Sequence, residues 1–275
     1  MRFRLSSLCS VSCTLLLVAG SARAAIDGAH LNGASTTLGI PNAEPSDGWE
    51  LLARAATVNQ ARYATLESFV CSEVIERYKG RLGSRRVRHL DTVSAKVSLE
   101  SGTERYSDVR QKNRSIQDLA KLDGAWSEGE FGSLLGESEQ LLRTQSAVID
   151  GAAELDGVPA VMLHFDVAAD DSSWDLTVGG QHYFVSFRTR VWLSKATGDI
   201  LKIVRTSTNI PSGLRIAQID WSVTLSPVEF DGRRWLLPST GEYQVLYQNT
   251  GWREWNTLQF RDYHRYGAEV KLRFN

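Results

Sequence analysis

Five histidines, His30, His89, His164, His182 and His264, are the first residues to test for chemistry, and they are scattered. None forms a His-x-x-x-His pair or stands near a second cysteine, so no zinc site and no other metal site is expected. "HFDVAADDSSWD" gathers His164, Asp166, Asp170, Asp171 and Asp175. It lacks the alternating oxygen ligands and turn glycine of a calcium loop, so it reads as a solvated loop. No Gly-x-Ser-x-Gly elbow, phosphate-binding loop or His-Glu-x-x-His motif occurs, which leaves no catalytic residue to name and no cofactor to expect. Carboxylates brought together by the fold, as in a glycosidase, keep a hydrolase as the lesser alternative.

Two other groupings suggest binding. "RYKGRLGSRRVR" crowds Arg77, Lys79, Arg81, Arg85, Arg86 and Arg88 around two glycines. Such a run is either a wet hairpin tip or a contact for anionic lipid head groups, formed by Arg81, Arg85, Arg86 and Arg88. The second grouping is apolar and alternating. Val185, Phe187, Val191 and Leu193, then Ile219, Trp221 and Val223, then Tyr243 and Tyr247, would share one side of a sheet. These nine line either an apolar groove or a packed core.

Strands must position these residues. In "VRHLDTVSAKVSL", Val87, Val93, Ala95, Val97 and Leu99 share a face. In "VPAVMLHFDV", Val161, Leu163, Phe165 and Val167 form the longer apolar set, and Asp156-Gly157 before it signals a hairpin. "KATGD" is a second hairpin, with Gly198 in the left-handed conformation. After it either Leu201 and Ile203 or Ile200 and Val204 face inward. About ten or eleven short antiparallel strands follow one another without a βαβ rhythm. Trp49, Leu52, Ala56, Tyr63 and Leu66 recur at helical spacing ahead of the strands. Phe131, Leu134, Leu135, Leu141 and Leu142 mark a helical segment inserted among them. The fold class is mainly β (α+β). A curved antiparallel sheet or half-open β-barrel carries an N-terminal helix and one inserted helical segment on its concave side.

The N-terminus reads as an address. Arg2 and Arg4 precede an apolar stretch, and Ala22-Arg23-Ala24 places small residues two apart, so residues 1–24 are expected to be a signal peptide cleaved after Ala24. Residues 25–48 read as a flexible tether, and 49–275 as one β domain. The predicted location is periplasmic or secreted. Residues 1–24 hold three arginines and no acid, so cleavage takes the formal charge from −1 to −4, a poor balance for nucleic acid. One cysteine then remains, Cys71, flanked by apolar residues and expected to be buried. A transmembrane barrel is disfavoured because the second strand faces carry Arg188, Arg190, Lys202, Arg205 and Gln218.

"RVWLSKATGDILKI" and "EFDGRRWLLP", with a leading helix and an inserted helical segment, resemble the LolA-like (outer-membrane lipoprotein carrier-like) superfamily. "SFVCSEVIERY" and "GEFGSLL" look like a group of uncharacterised exported bacterial proteins on this plan. The resemblance covers roughly residues 49–270. It implies a half-open β-barrel closed by helices and a non-enzymatic role: binding a lipid or lipidated envelope ligand, with peripheral membrane contact. The alternative it implies is a protein-interaction or sensing module acting on a membrane-associated regulator. It carries no functional residue across.

Overall fold

The computed structural model describes residues 3–5, 45–66, 69–100, 103–117, 119, 122–144, 147–230 and 232–265. Helix α1 (Pro45–Leu66) leads into an antiparallel meander. Its first part is β2 (Phe69–Arg81), β3 (Val87–Glu100), β4 (Thr103–Gln111) and β5 (Arg114–Ser115). An insertion follows: a π-helical turn at Glu130–Leu135 that continues into α2 (Gly136–Thr144). Then come β6 (Val148–Leu155), β7 (Val158–Val167), β8 (Asp175–Val178), β9 (Gln181–Phe184) and β10 (Ser186–Ser194). The meander ends with β11 (Ile200–Asn209), β12 (Ile216–Phe230), β13 (Arg233–Tyr247) and β14 (Trp252–Arg265).

Eleven strands form one curved antiparallel sheet in the order β5-β4-β3-β2-β14-β13-β12-β11-β10-β7-β6, and it does not close into a barrel. Curvature has a local cause. Register shifts interrupt the pairing at Arg77/Tyr78, Trp192/Leu193, Thr224/Leu225 and Arg261/His264, and each extra residue bends the strand that carries it. β1 (Phe3–Leu5), β8 and β9 make a small separate sheet. The rest of the expected leader and residues 25–44 lie outside the described residues, as do residues 266–275. The helix begins at Pro45, inside the stretch read as tether, where the fixed φ of proline suits a first helical turn.

The alternation reads through into burial. Val93, Ala95, Val97 and Leu99 are buried, as are Leu163, Phe165, Ile203 and the whole Val185–Leu193 inward set. Asp156 and Gly157 adopt positive φ (50° and 80°), and Gly198 stands at 80°. Val87 departs from expectation: it is 48% exposed, because β3 begins at the hairpin tip, beyond the area the core covers.

The second half of the expected helical stripe holds, with Leu66 buried and Tyr63 packed against the core, but the first half is displaced by one residue. Trp49 is exposed and Leu52 and Ala56 only half-buried, whereas Leu51, Ala55 and Asn59 are buried. The reason is the docking site. Asn59 donates to the Gly198 carbonyl (2.9 Å) and accepts from the Ile200 N–H (2.9 Å), so a polar residue occupies the centre of the contact. Arg62 pairs bidentately with Asp199. A Cβ at Gly198 would stand 3.1 Å from the Ala55 backbone nitrogen, so glycine is required there for conformation and for space alike. Three residues of the β10–β11 hairpin region, Gly198, Asp199 and Ile200, thus fix α1 to the sheet.

Candidate functional site

Of the nine apolar residues expected to line the inner side, Val185, Phe187, Val191, Leu193, Ile219, Trp221, Val223 and Tyr243 are buried in one core cluster. Tyr247 is partly buried and packs against it. The strands bring them together: Val191 pairs with Ile203, Ile203 with Val223, Ile219 with Val245 and Trp221 with Tyr243. The insertion covers them, with Phe131, Leu134, Leu135 and Leu142 all buried.

This interior is not uniformly apolar. Arg205, assigned by alternation to an outer face, points inward with no exposed surface. The shift at Trp192/Leu193 lets both Ile200 and Leu201 be buried, after which Ile203, Arg205 and Ser207 take the inward positions. Phe187 lies 4.2 Å from the guanidinium carbon, with Trp174 at 5.8 Å and Trp221 at 5.9 Å. A cation between ring faces is held by their quadrupoles. Its anion is Glu137 of α2, with Nη1 and Oε2 2.6 Å apart. The angle of approach does not make that contact a hydrogen bond, and Nη2 has no partner among the described residues.

Across Trp221 lie three carboxyl groups, Glu73 on β2, Glu104 on β4 and Glu130 in the π turn. Each has a different environment. Glu104 accepts backbone N–H bonds from Gly129 (2.9 Å), Gly132 (2.8 Å) and Phe131, and the Tyr106 hydroxyl donates to it as well. The residue as a whole is half-exposed while its carboxyl end is enclosed by these donors. Glu130 Oε1 accepts from Ser127 Oγ (2.7 Å) and from Trp221 Nε1 (2.9 Å). Glu73 is fully buried, and neither of its oxygens has a hydrogen-bond partner among the described residues.

Burial disfavours the charged form in all three, and their mutual repulsion adds to it. Glu130 is pushed up to about 7 by burial and by the Glu104 charge. Burial, Glu130 and Glu104 together hold Glu73 well above the carboxylate range. Glu104 is raised by burial and partly restored by its donors. It is the member built to carry charge, and Glu73 the member built to carry a proton.

The segment that leads into the insertion is held by members of two ion pairs. Glu254 accepts from Lys79 Nζ (2.7 Å) and from the Ala125 N–H (2.8 Å). Arg77 belongs to the basic run but is 3% exposed. It binds Asp91 through Nε (2.6 Å) and Nη2 (2.9 Å) and reaches the Asp123 carbonyl (2.8 Å). Arg81, Arg85, Arg86 and Arg88 are exposed together at the β2–β3 hairpin end.

Asp175 also differs from its sequence reading. It is buried beside His182 (2.5 Å) and not solvated, because Trp174 carries the loop end into the core. Cys71 is buried, and burial and the neighbouring Glu73 push its thiol up, so it is protonated and unreactive. Among the described residues no cluster of His, Cys, Asp and Glu side chains is arranged to hold a metal ion. The carboxyl trio is the convergence a hydrolase would need, but Glu73 and Glu130 have no exposed surface from which to meet substrate and water.

Sequence reasoning missed Glu73 and Arg205, although a signal existed for each. Glu73 falls in phase with the buried Cys71 and Ile75, and Arg205 in phase with Ile203. A charge on the apolar side of an alternating strand marks a partner supplied from elsewhere in the chain.

No family model matches the chain, and no curated protein does. Solved structures similar to it are so at low identity. One is a domain assigned to an outer membrane lipoprotein-sorting protein of Vibrio parahaemolyticus (11% identity, 81% of this chain and 93% of that one, TM-score 0.39). Another is a LolA superfamily protein from Nitrosomonas europaea (9% identity, 82% and 96%, TM-score 0.37). A third is a DUF1329 family protein from Desulfovibrio piger (12% identity, 83% and 94%, TM-score 0.35). No functional residue is carried across from any of them.

Proposed function

We propose that the chain is an exported, non-enzymatic protein that binds a lipid or a lipidated envelope ligand on the concave side of its sheet. One observation carries this reading. The inward apolar wall of an open sheet is covered by separate pieces, α1, the Glu130–Thr144 insertion and Trp174 with the small β8–β9 sheet, and not by closure of the large sheet on itself. Beside their buried apolar side chains, these pieces are held by discrete polar contacts: Arg62 to Asp199, Asn59 to the Gly198–Ile200 backbone, Glu137 to Arg205, Glu104 to the Phe131 and Gly132 N–H groups, and Trp221 to Glu130. Displacing the insertion uncovers a wall that an acyl chain can replace contact for contact. Each methylene buried there contributes about 0.8 kcal/mol, so a long chain binds tightly without any catalytic group.

The test is native mass spectrometry of the delipidated protein after incubation with bacterial lipid extract. A retained mass of lipid size is expected, with a change in tryptophan emission, because Trp174 and Trp221 lie in the interior. No retained mass together with unchanged emission overturns the reading.

A second reading, a protein-interaction module, draws on a different place. β6 is an edge strand of the large sheet and exposes Val148 (54%) and Ile149 (44%). The Ile149 side chain lies against Gly48 of α1, next to the exposed Trp49. Open edges with apolar side chains are templates for a further strand. The lipid assay separates the two readings: Ile149→Lys leaves lipid retention unchanged if the concave interior is the site.

A further inference from the structure

We infer that the end of the sheet formed by the β2–β3 and β13–β14 turns is a docking surface for an anionic lipid bilayer, with apolar side chains that enter the interface and arginines that bind head groups. The two turns are joined: the Leu82 N–H donates to the Gly251 carbonyl (2.8 Å), and Trp252 pairs in register with Arg81. Residues 80–88 contain Arg81, Arg85, Arg86 and Arg88, and residues 247–253 add Arg253. Neither segment contains an acid, in a chain whose formal charge is −1. The nearest acids along these strands are engaged: Glu254 with Lys79, Asp91 with Arg77 and Glu76 with His89 (2.5 Å). Among the described residues Arg85, Arg86 and Arg88 have no ion-pair partner, so the fold does not use their charge.

The same end carries unusual apolar exposure. Eight large hydrophobic side chains are exposed among the described residues, and three of them are here: Leu82 (59%), Val87 (48%) and Trp252 (39%). Trp252 lies under Arg81 at 5.5 Å and Lys79 at 5.9 Å. Gly83 turns the chain at φ 74° with open space around it, which leaves Leu82 at the outermost point of the hairpin. Tryptophan beneath cations, flanked by an aliphatic side chain, suits the boundary between head groups and acyl chains. A soluble polyanion would satisfy the arginines and leave Leu82, Val87 and Trp252 in water. A bilayer satisfies both, and this decides between them. Docking by this end does not depend on whether the concave interior holds lipid.

Co-sedimentation of the full-length secreted protein with vesicles tests it. The vesicles are phosphatidylcholine alone, or equal parts phosphatidylcholine and phosphatidylglycerol. Binding to the mixed vesicles that weakens with added salt is expected, with little binding to the neutral ones. Arg85→Ala with Arg86→Ala should lower partitioning by about thirty-fold, and Leu82→Ser by roughly ten-fold. All three positions are exposed, so circular dichroism of the variants should match the parent. Equal binding to neutral vesicles overturns the inference. So does a loss that follows the arginines alone while heparin competes fully, because the partner is then a soluble polyanion. Tip variants that still retain lipid by native mass spectrometry place any failure here and not in the concave interior.

Discussion

Replacing Glu137 with alanine should destabilise the protein by about 2–4 kcal/mol. The cause is not the loss of an ion pair as such but what remains: Arg205, with no exposed surface, enclosed by three aromatic rings and left without an anion. Removing one member of a buried pair typically costs about 3–5 kcal/mol, whereas replacing both with apolar residues is often neutral or stabilising. The lower range is expected here because Glu137 retains 19% of its side-chain exposure and water already screens it. Arg205→Met combined with Glu137→Leu should therefore recover most of the loss. Urea denaturation of the two single variants and the double completes a cycle, and a coupling near zero would show that the pair does not hold α2 to β11.

Glu73→Gln should leave stability near pH 5 little changed and raise it at pH 8, where the folded parent still holds a proton that its unfolded chain has released. Burial and the Glu130 and Glu104 charges hold the Glu73 carboxyl well above its ordinary range, so the folded state keeps a proton that the unfolded chain releases near pH 4.5. A raised folded value means that the stability is fully present below pH 4.5 and is lost as pH rises. The loss is about 1.4 kcal/mol per pH unit for as long as the proton stays on. Glu130, pushed up to about 7, adds to the same slope between pH 4.5 and 7. Asp91 acts in the opposite sense only in more acidic solution. Burial alone would raise it, and Arg77 and Gln111 hold it below its ordinary value. The parent protein should thus melt at higher temperature at pH 5 than at pH 8, and Glu73→Gln should flatten the difference. A variant less stable than the parent at pH 8 would contradict the assignment.

How much of this was legible depends on where the partner of each residue lies. Val93, Ala95, Val97 and Leu99 needed only a covered face and an exposed one, so alternation placed them. Asp156-Gly157 and Gly198 needed only their own backbone conformation. The inward apolar nine were legible for the same reason as the strands, and they do share one core. Arg205 was not, because its rings come from β10 and β12 and from the loop before β8, and its anion comes from a helix inserted far earlier in the chain. Asn59 and the displaced stripe of α1 were hidden likewise: the buried centre of that helix is set by the hairpin it docks on, not by its own apolar pattern. Glu73, Glu104 and Glu130 lie on two strands and a π turn that only the insertion brings together.

On the proposed function, the Glu130–Thr144 insertion is a cover that opens over the apolar wall, although its side chains pack in the same core. Hydrogen exchange followed residue by residue, with and without phosphatidylglycerol in detergent-free solution, tests this most directly. The account predicts that amides of the insertion exchange faster than those of β11, β12 and β13 in the free protein, and that lipid changes the rates of the insertion while the three strands stay protected. Exchange of the insertion and the strands together, at one rate that lipid does not alter, would contradict it.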